Sequence, residues 1–166
     1  VKTDAQILAD MGILKGDGGG VTKEYLAKSS TRMQAAIMFL RLKGLEQEAL
    51  NFKGTDNFAD ANLVGGSEKA ILAYLKAKPE LGWQGVGNGM FDPLSRITGQ
   101  QYSKVMLETL GYKQGIDFEY DNLVVLAAMM GLSRVAKADN FLNTDLAYMT
   151  VLALKLKMKG DTKTLL

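Results

Sequence analysis

GWQGVGNGMFDPLSRITGQQYSKVMLETLGY, residues 82–112, decides the reading of the whole chain. It reads as a helix end, a glycine-rich loop, a capped helix start and a second helix. Gly85, Gly87 and Gly89 give the loop backbone freedom that other residues resist. Pro93 pushes Asp92, the residue before it, out of the α region. Thr98 and Gln101 then stand as a capping box. The threonine oxygen accepts from the N3 amide and the glutamine reaches back to the cap. Behind them Tyr102, Val105, Met106 and Leu110 share one helical face, and Gly111 is the stop.

Working outward, the pattern repeats. Thr31-Arg32-Met33-Gln34 is again Thr-x-x-Gln, with Met33, Ile37 and Leu40 as the apolar stripe and Gly44 as the stop. Thr31 to Gly44 and Thr98 to Gly111 cover the same length of chain. A third, worn copy starts at Asn143-Thr144-Asp145-Leu146, with Leu146, Met149, Ala153 and Leu156 as its stripe. Each capped helix follows a glycine-bearing loop and an apolar helix, at 7–13, 70–75 and 123–132. Internal repetition of three helix–loop–helix units is the expected organisation.

The ordered motifs resemble the S-layer homology (SLH) domain, whose repeats come in threes. Each has a helix ending in Gly-Ile, a loop like G-x-x-D-G-x-F-x-P and a helix opening with T-R-A-E. The matching residues are Met11-Gly12-Ile13-Leu14-Lys15-Gly16-Asp17-Gly18 with Thr31-Arg32-Met33-Gln34. In the second unit they are Gly87-Asn88-Gly89-Met90-Phe91-Asp92-Pro93 with Ile97-Thr98-Gly99-Gln100-Gln101. Phe58-Ala59-Asp60-Ala61 is similar to the F-x-D opening of a second repeat. The resemblance spans nearly the whole chain, and order and duplication carry it rather than any single motif. Where the family has arginine, the second unit has Gly99 and the third is read as having Asp145, which would repel an anion.

At 166 residues the chain suits one domain or a compact array of small units that share a core. Its formal charge is +2 with both signs mixed along the sequence, and no basic block is interleaved with aromatics, so a nucleic-acid partner is not expected. No apolar run reaches spanning length, so membrane insertion is not expected either. Val1 reads as the start of an excised fragment, which leaves the lack of an export signal uninformative. Cysteine is absent, and with it disulfides, thiolate chemistry and cysteine zinc sites. Histidine is absent too, which removes the commonest general base and transition-metal ligand. No cofactor or metal is expected. The nine methionines suit adaptable packing or a groove for partner helices.

In chain order, helices are expected at 4–14, at 21–28 behind a Thr22 cap, at 31–43 and at 67–78 behind a Ser67 cap. Residues 123–131 are apolar all round and read as the most buried helix. Residues 53–57 and 113–115 read as linkers. Asp17 followed by three glycines lacks the spaced oxygen ligands of a calcium loop and reads as a plain turn. The carboxylate pairs Glu46/Glu48, Asp56/Asp60 and Asp117/Glu119 are read as solvated rather than as a glycosidase pair.

Arg32 is the first candidate site residue. Thr31 and Gln34 form the cap, so Arg32 has no duty in starting the helix, and a cation there works against the dipole by about 0.3–1 kcal/mol. Beside free helix amides, a guanidinium completes an anion site able to grip a carboxylate on two prongs. The alternative is a solvated arginine or a salt bridge to Glu24 or Asp60. The resemblance implies that Arg32, beside Thr31, grips the acidic pyruvyl ketal of a secondary cell-wall polysaccharide. It implies that Asp60 lines a groove and binds a sugar hydroxyl; a helix N-cap is the alternative. Trp83, the only tryptophan, is either a sugar platform or core. Arg96 is either a substitute for the arginine missing at Gly99 or a plain surface residue.

The expected architecture is all-α, with three pseudo-repeats (about 1–52, 53–113 and 114–160, with a tail at 161–166) around a shared central bundle of the capped helices. The expected function is non-catalytic anchoring of a surface protein to an anionic, pyruvylated cell-wall polysaccharide, in the extracellular cell wall or S-layer of a bacterium. The alternative is a degenerate spacer or protein–protein interaction module that contacts other envelope proteins.

Overall fold

The computed structural model describes residues 1–112, 116 and 140–160, with side chains as far as 155. The chain is all-α. The helices among these residues are α1 (Asp4–Asp10), α2 (Lys23–Leu26), α3 (Arg32–Lys43), α4 (Glu46–Leu50), α5 (Gly66–Ala77), α6 (Gly99–Thr109) and α7 (Asn143–Gly160), with short 3₁₀ turns at Ala61–Leu63 and Pro79–Leu81. Extended pairing among the described residues is confined to isolated bridges. The expected helix at 123–131, the linker at 113–115, the Asp117/Glu119 pair and most of the third repeat lie outside the described residues.

The capping boxes form as read. Thr31 Oγ1 accepts from Gln34 N at 3.1 Å while Gln34 Oε1 accepts from Thr31 N at 2.9 Å. Thr98 and Gln101 repeat the exchange at 3.0 and 3.1 Å. A third box, Thr3 with Gln6, starts α1. It is the same Thr-x-x-Gln pattern, at Thr3-Asp4-Ala5-Gln6. α1 ends at Asp10 rather than 14, since Gly12 turns left-handed (φ 74) and Ile13 N bonds back to Leu8 O at 2.9 Å. Ser67 is not a cap: α5 starts at Gly66 behind Gly65, with no side-chain cap bond, and Ser67 falls inside the first turn.

The chain forms two compact units, Ser30–Arg96 (the middle unit) and Val1–Ser29 with Ile97–Leu166 (the terminal unit). Their boundaries fall just ahead of the capped helices α3 and α6, not in the linkers expected near 53 and 114. A unit is therefore built from a capped helix and a glycine loop that come from different expected repeats. In the middle unit α4 packs on α3 and α5. Of the expected stripe on α3, Met33 and Leu40 are buried while Ile37 is only half-buried, and Ala35, Ala36, Met38 and Phe39 are inside as well. Ile71, Leu72, Leu75, Trp83 and Phe91 complete that core, each worth roughly 1.5–3 kcal/mol in burial. In the terminal unit α7 packs against α1, α2 and α6. Leu8, Tyr102, Met106, Leu146 and Met149 are its buried centre, with Tyr102 beside Phe141 at 5.9 Å between ring centroids.

Candidate functional site

Arg32 is the first residue of α3, and the glycine loop of the middle unit folds over it. The loop leaves Gly82 (φ 96), passes Gly85 and closes on itself with Val86 N donating to Met90 O at 2.9 Å. A Cβ on Gly85 would stand 2.5 Å from Met90 O, so only glycine fits that closure. The chain then runs through Phe91 and Asp92 onto the N-terminus of α3.

Asp60 holds this descent. Its Oδ1 accepts from Phe91 N at 2.9 Å and its Oδ2 from Asp92 N at 2.8 Å. The carboxylate is a clamp across the loop and caps nothing, since no side-chain cap bond is made at the 3₁₀ turn after it. At 8% exposure it is a buried structural acceptor rather than an open sugar ligand. Asp92 is left-handed (φ 61), a conformation unusual for a non-glycine residue, and the clamp on its amide helps hold it. Its Oδ1 accepts from Ser95 Oγ at 2.6 Å.

The clamped segment then takes up the start of α3. Arg32 N donates to Ser95 O at 2.8 Å and Met33 N to Pro93 O at 3.0 Å, while Gln34 N is held by Thr31. The amides expected to share in an anion site are thus bonded within the protein. The Arg32 side chain is 5% exposed. Its Nε donates to Phe91 O at 2.9 Å, and its Cζ lies 4.9 Å from the Phe91 ring centroid and 5.9 Å from that of Trp83. Arg32 is accordingly neither a solvated arginine nor idle in the fold. Its cation rests on two aromatic faces, which attract it through their quadrupoles.

Trp83 is 2% exposed, stacked 6.1 Å from Phe91 and edge-on to Phe39 at 6.0 Å. It is core, with no open face for a sugar ring. Its Nε1–H is buried without a hydrogen-bond partner among the described residues. Arg96 is exposed and its backbone bridges to Thr31, so it borders the cap without entering the Arg32 cluster.

The terminal unit contains a counterpart that the sequence reading misplaced. Asn143 N donates to Lys28 O at 2.7 Å, and Asn143 Nδ2 donates to Tyr25 O at 2.9 Å. The segment after the first glycine loop therefore docks on the start of α7, as Pro93 and Ser95 dock on α3. Leu142 N donates to Asp145 Oδ2 at 3.0 Å, as Thr31 N donates to Gln34. Asn143 thus occupies the place of Arg32, and Asp145 the place of Gln34. The expectation that Asp145 replaces the arginine and repels an anion is corrected. Asp145 is the reach-back acceptor of the cap, and the counterpart of Arg32 is a buried neutral amide. The two loops match further. Left-handed Gly12 and Gly82 precede bridges Asp17–Gly20 and Gly87–Met90 at the same distance along the chain.

Glu46, Glu48 and Asp56, from the carboxylate pairs singled out in the sequence, each have a partner in the fold. Glu46 pairs with Arg41 (3.0 Å), Glu48 accepts from the Tyr74 hydroxyl, and Asp56 pairs with Lys76 (2.9 Å). Burial, and then the Glu48 bond, hold the Tyr74 hydroxyl well above the usual phenol range. No cluster of His, Cys, Asp and Glu suited to a metal occurs among the described residues. No helix among them is long and apolar enough to cross a membrane. Compared with known proteins, the sequence matches no family model and no curated protein.

Proposed function

We propose that the chain is a non-catalytic module that anchors a bacterial surface protein by holding an anionic, pyruvylated cell-wall polysaccharide. One observation carries the reading. A glycine loop docked on the first residue of a helix is built twice, and one copy sets a guanidinium, Arg32, at that point. The duplication supports the resemblance to SLH repeats in geometry as well as in motif order. A guanidinium seated on aromatic faces suits a carboxylate, by charge-assisted contact. The ligand's acidic group meets Arg32 rather than the helix amides, because those are already bonded. An oxygen of the same ligand that reached Trp83 Nε1–H would satisfy a buried donor whose isolation costs about 1–3 kcal/mol.

A second reading, a spacer or protein–protein module that keeps the architecture without the glycan, is favoured by the depth of Arg32 and by its Nε bond to Phe91 O. Retention on purified cell-wall sacculi, before and after the polysaccharide is stripped, separates the two. Anchoring requires retention on the native sacculi and its loss on the stripped ones. Calorimetry with native and depyruvylated polysaccharide then tests the acidic group. Equal binding of both, or none at about millimolar concentration, leaves the spacer reading standing.

A further inference from the structure

Asn88 and Gly89 are the exposed tip of the middle unit's loop, and the sequence holds no other Asn-Gly pair. Both residues are left-handed (φ 55 and 73), the signature of the central pair of a type I′ turn, and Met90 N closes the turn on Gly87 O at 3.0 Å. Among the described residues no group pairs with the Asn88 side-chain amide, and none accepts from Gly89 N–H. Gly89 carries no Cβ to obstruct an approach to that nitrogen. The other asparagines of the middle unit differ. After Asn51, Asn57 and Asn62 the next amide belongs to a bulky residue and is bonded, Phe52 N to Ala49 O, Phe58 N to Asn57 Oδ1 and Leu63 N to Asp60 O.

We infer that Asn88 is a site of spontaneous deamidation, and that its isoaspartyl product unlatches the loop. The Gly89 nitrogen attacks Asn88 Cγ and gives up its proton, the Cγ–NH₂ bond breaks and ammonia leaves, and a five-membered imide remains. Water then opens the imide. Attack at Cγ gives aspartate, and attack at the α-carbonyl gives isoaspartate, in which the backbone runs through the side chain with one more carbon. Both products add a negative charge. The isoaspartyl form also lengthens the turn that places Gly89 O, and that oxygen accepts from Ala59 N at 2.7 Å. Ala59 adjoins Asp60, whose carboxylate holds the Phe91 and Asp92 amides above Arg32. Damage at the tip is thereby passed to the clamp through one backbone bond.

The test is ageing of the native and the urea-denatured chain side by side at mildly alkaline pH, read by peptide mass and isoaspartate analysis. Native Asn88 should convert ahead of the other described asparagines and within about tenfold of the denatured rate, since an exposed loop tip opens at little cost. Slower conversion than that, or earlier conversion elsewhere, overturns the site. Amide exchange at Ala59 is then compared in aged and fresh protein and in Asn88→Gly, which suits the turn and has no amide to lose. Faster exchange in the aged parent, with none in the aged variant, supports the unlatching. Unchanged exchange in protein shown to carry isoaspartate at 88 overturns it.

Discussion

Replacing Arg32 by methionine keeps the unbranched stem and removes the guanidinium, so the loss isolates what that group does inside the middle unit. The Nε–Phe91 O bond is charge-assisted, and such bonds contribute about 1.5–3 kcal/mol. The cation over the Phe91 and Trp83 rings adds roughly 0.5–2 kcal/mol. Relief of the unfavourable charge at the start of α3 returns about 0.3–1 kcal/mol. The net loss is about 1–5 kcal/mol, and Phe91, fully buried, keeps a carbonyl without its charged donor. Trp83 is the only tryptophan and lies within this cluster, so its fluorescence in a urea titration reports on the middle unit directly. Arg32→Lys should lose most of the same stability, since an ammonium has no Nε at that distance along the stem. A double-mutant cycle with Phe91→Leu should show coupling. If Arg32→Met instead melts within about 0.5 kcal/mol of the parent, as solvent-exposed substitutions do, the buried-anchor account is wrong.

Asp60→Ala strands the Phe91 and Asp92 amides and should cost about 2–4 kcal/mol by the same titration, whereas Asp60→Asn, which keeps an acceptor oxygen, should cost less. Thr31→Ala and Thr98→Ala should each cost ~1 kcal/mol, and equal thermal melts for parent and variants would contradict the caps. Tyr102 is fully buried and shares a hydrogen bond with Thr150 Oγ1 at 2.7 Å, and burial lifts its hydroxyl far above the usual range. The folded state therefore holds that proton longer than the unfolded chain. The contribution is complete below the unfolded value of ~10 and falls as pH rises beyond it, so alkaline melts should steepen there for the parent and flatten for Tyr102→Phe. Tyr102→Phe should also cost about 1 kcal/mol at neutral pH, read in the same melts.

What the sequence determined by itself is the local part. Thr31-x-x-Gln34 and Thr98-x-x-Gln101 set helix starts because the cap is an exchange of bonds within four residues, and Gly44 and Gly111 set stops because a left-handed residue ends the ladder wherever it lies. The glycine loops were legible for the same reason. Asn143, Thr144 and Asp145 were not, since each is a competent cap by type, and local chemistry alone leaves the register open. Tyr25 O and Lys28 O, far away in sequence, settle it by taking Asn143's side chain and amide. The structure gathers Arg32, Asp60 and Trp83 around Phe91, yet their depth was invisible in the sequence. It depends on residues 91–95 folding back onto α3, and a contact between residues 59 apart, such as Arg32 Nε with Phe91 O, leaves no periodic trace in a sequence. Caps, turns and stops are decided by neighbours along the chain; burial and the identity of a buried cation's partners are decided by whichever segments pack together, and only the tertiary structure brings those segments into contact.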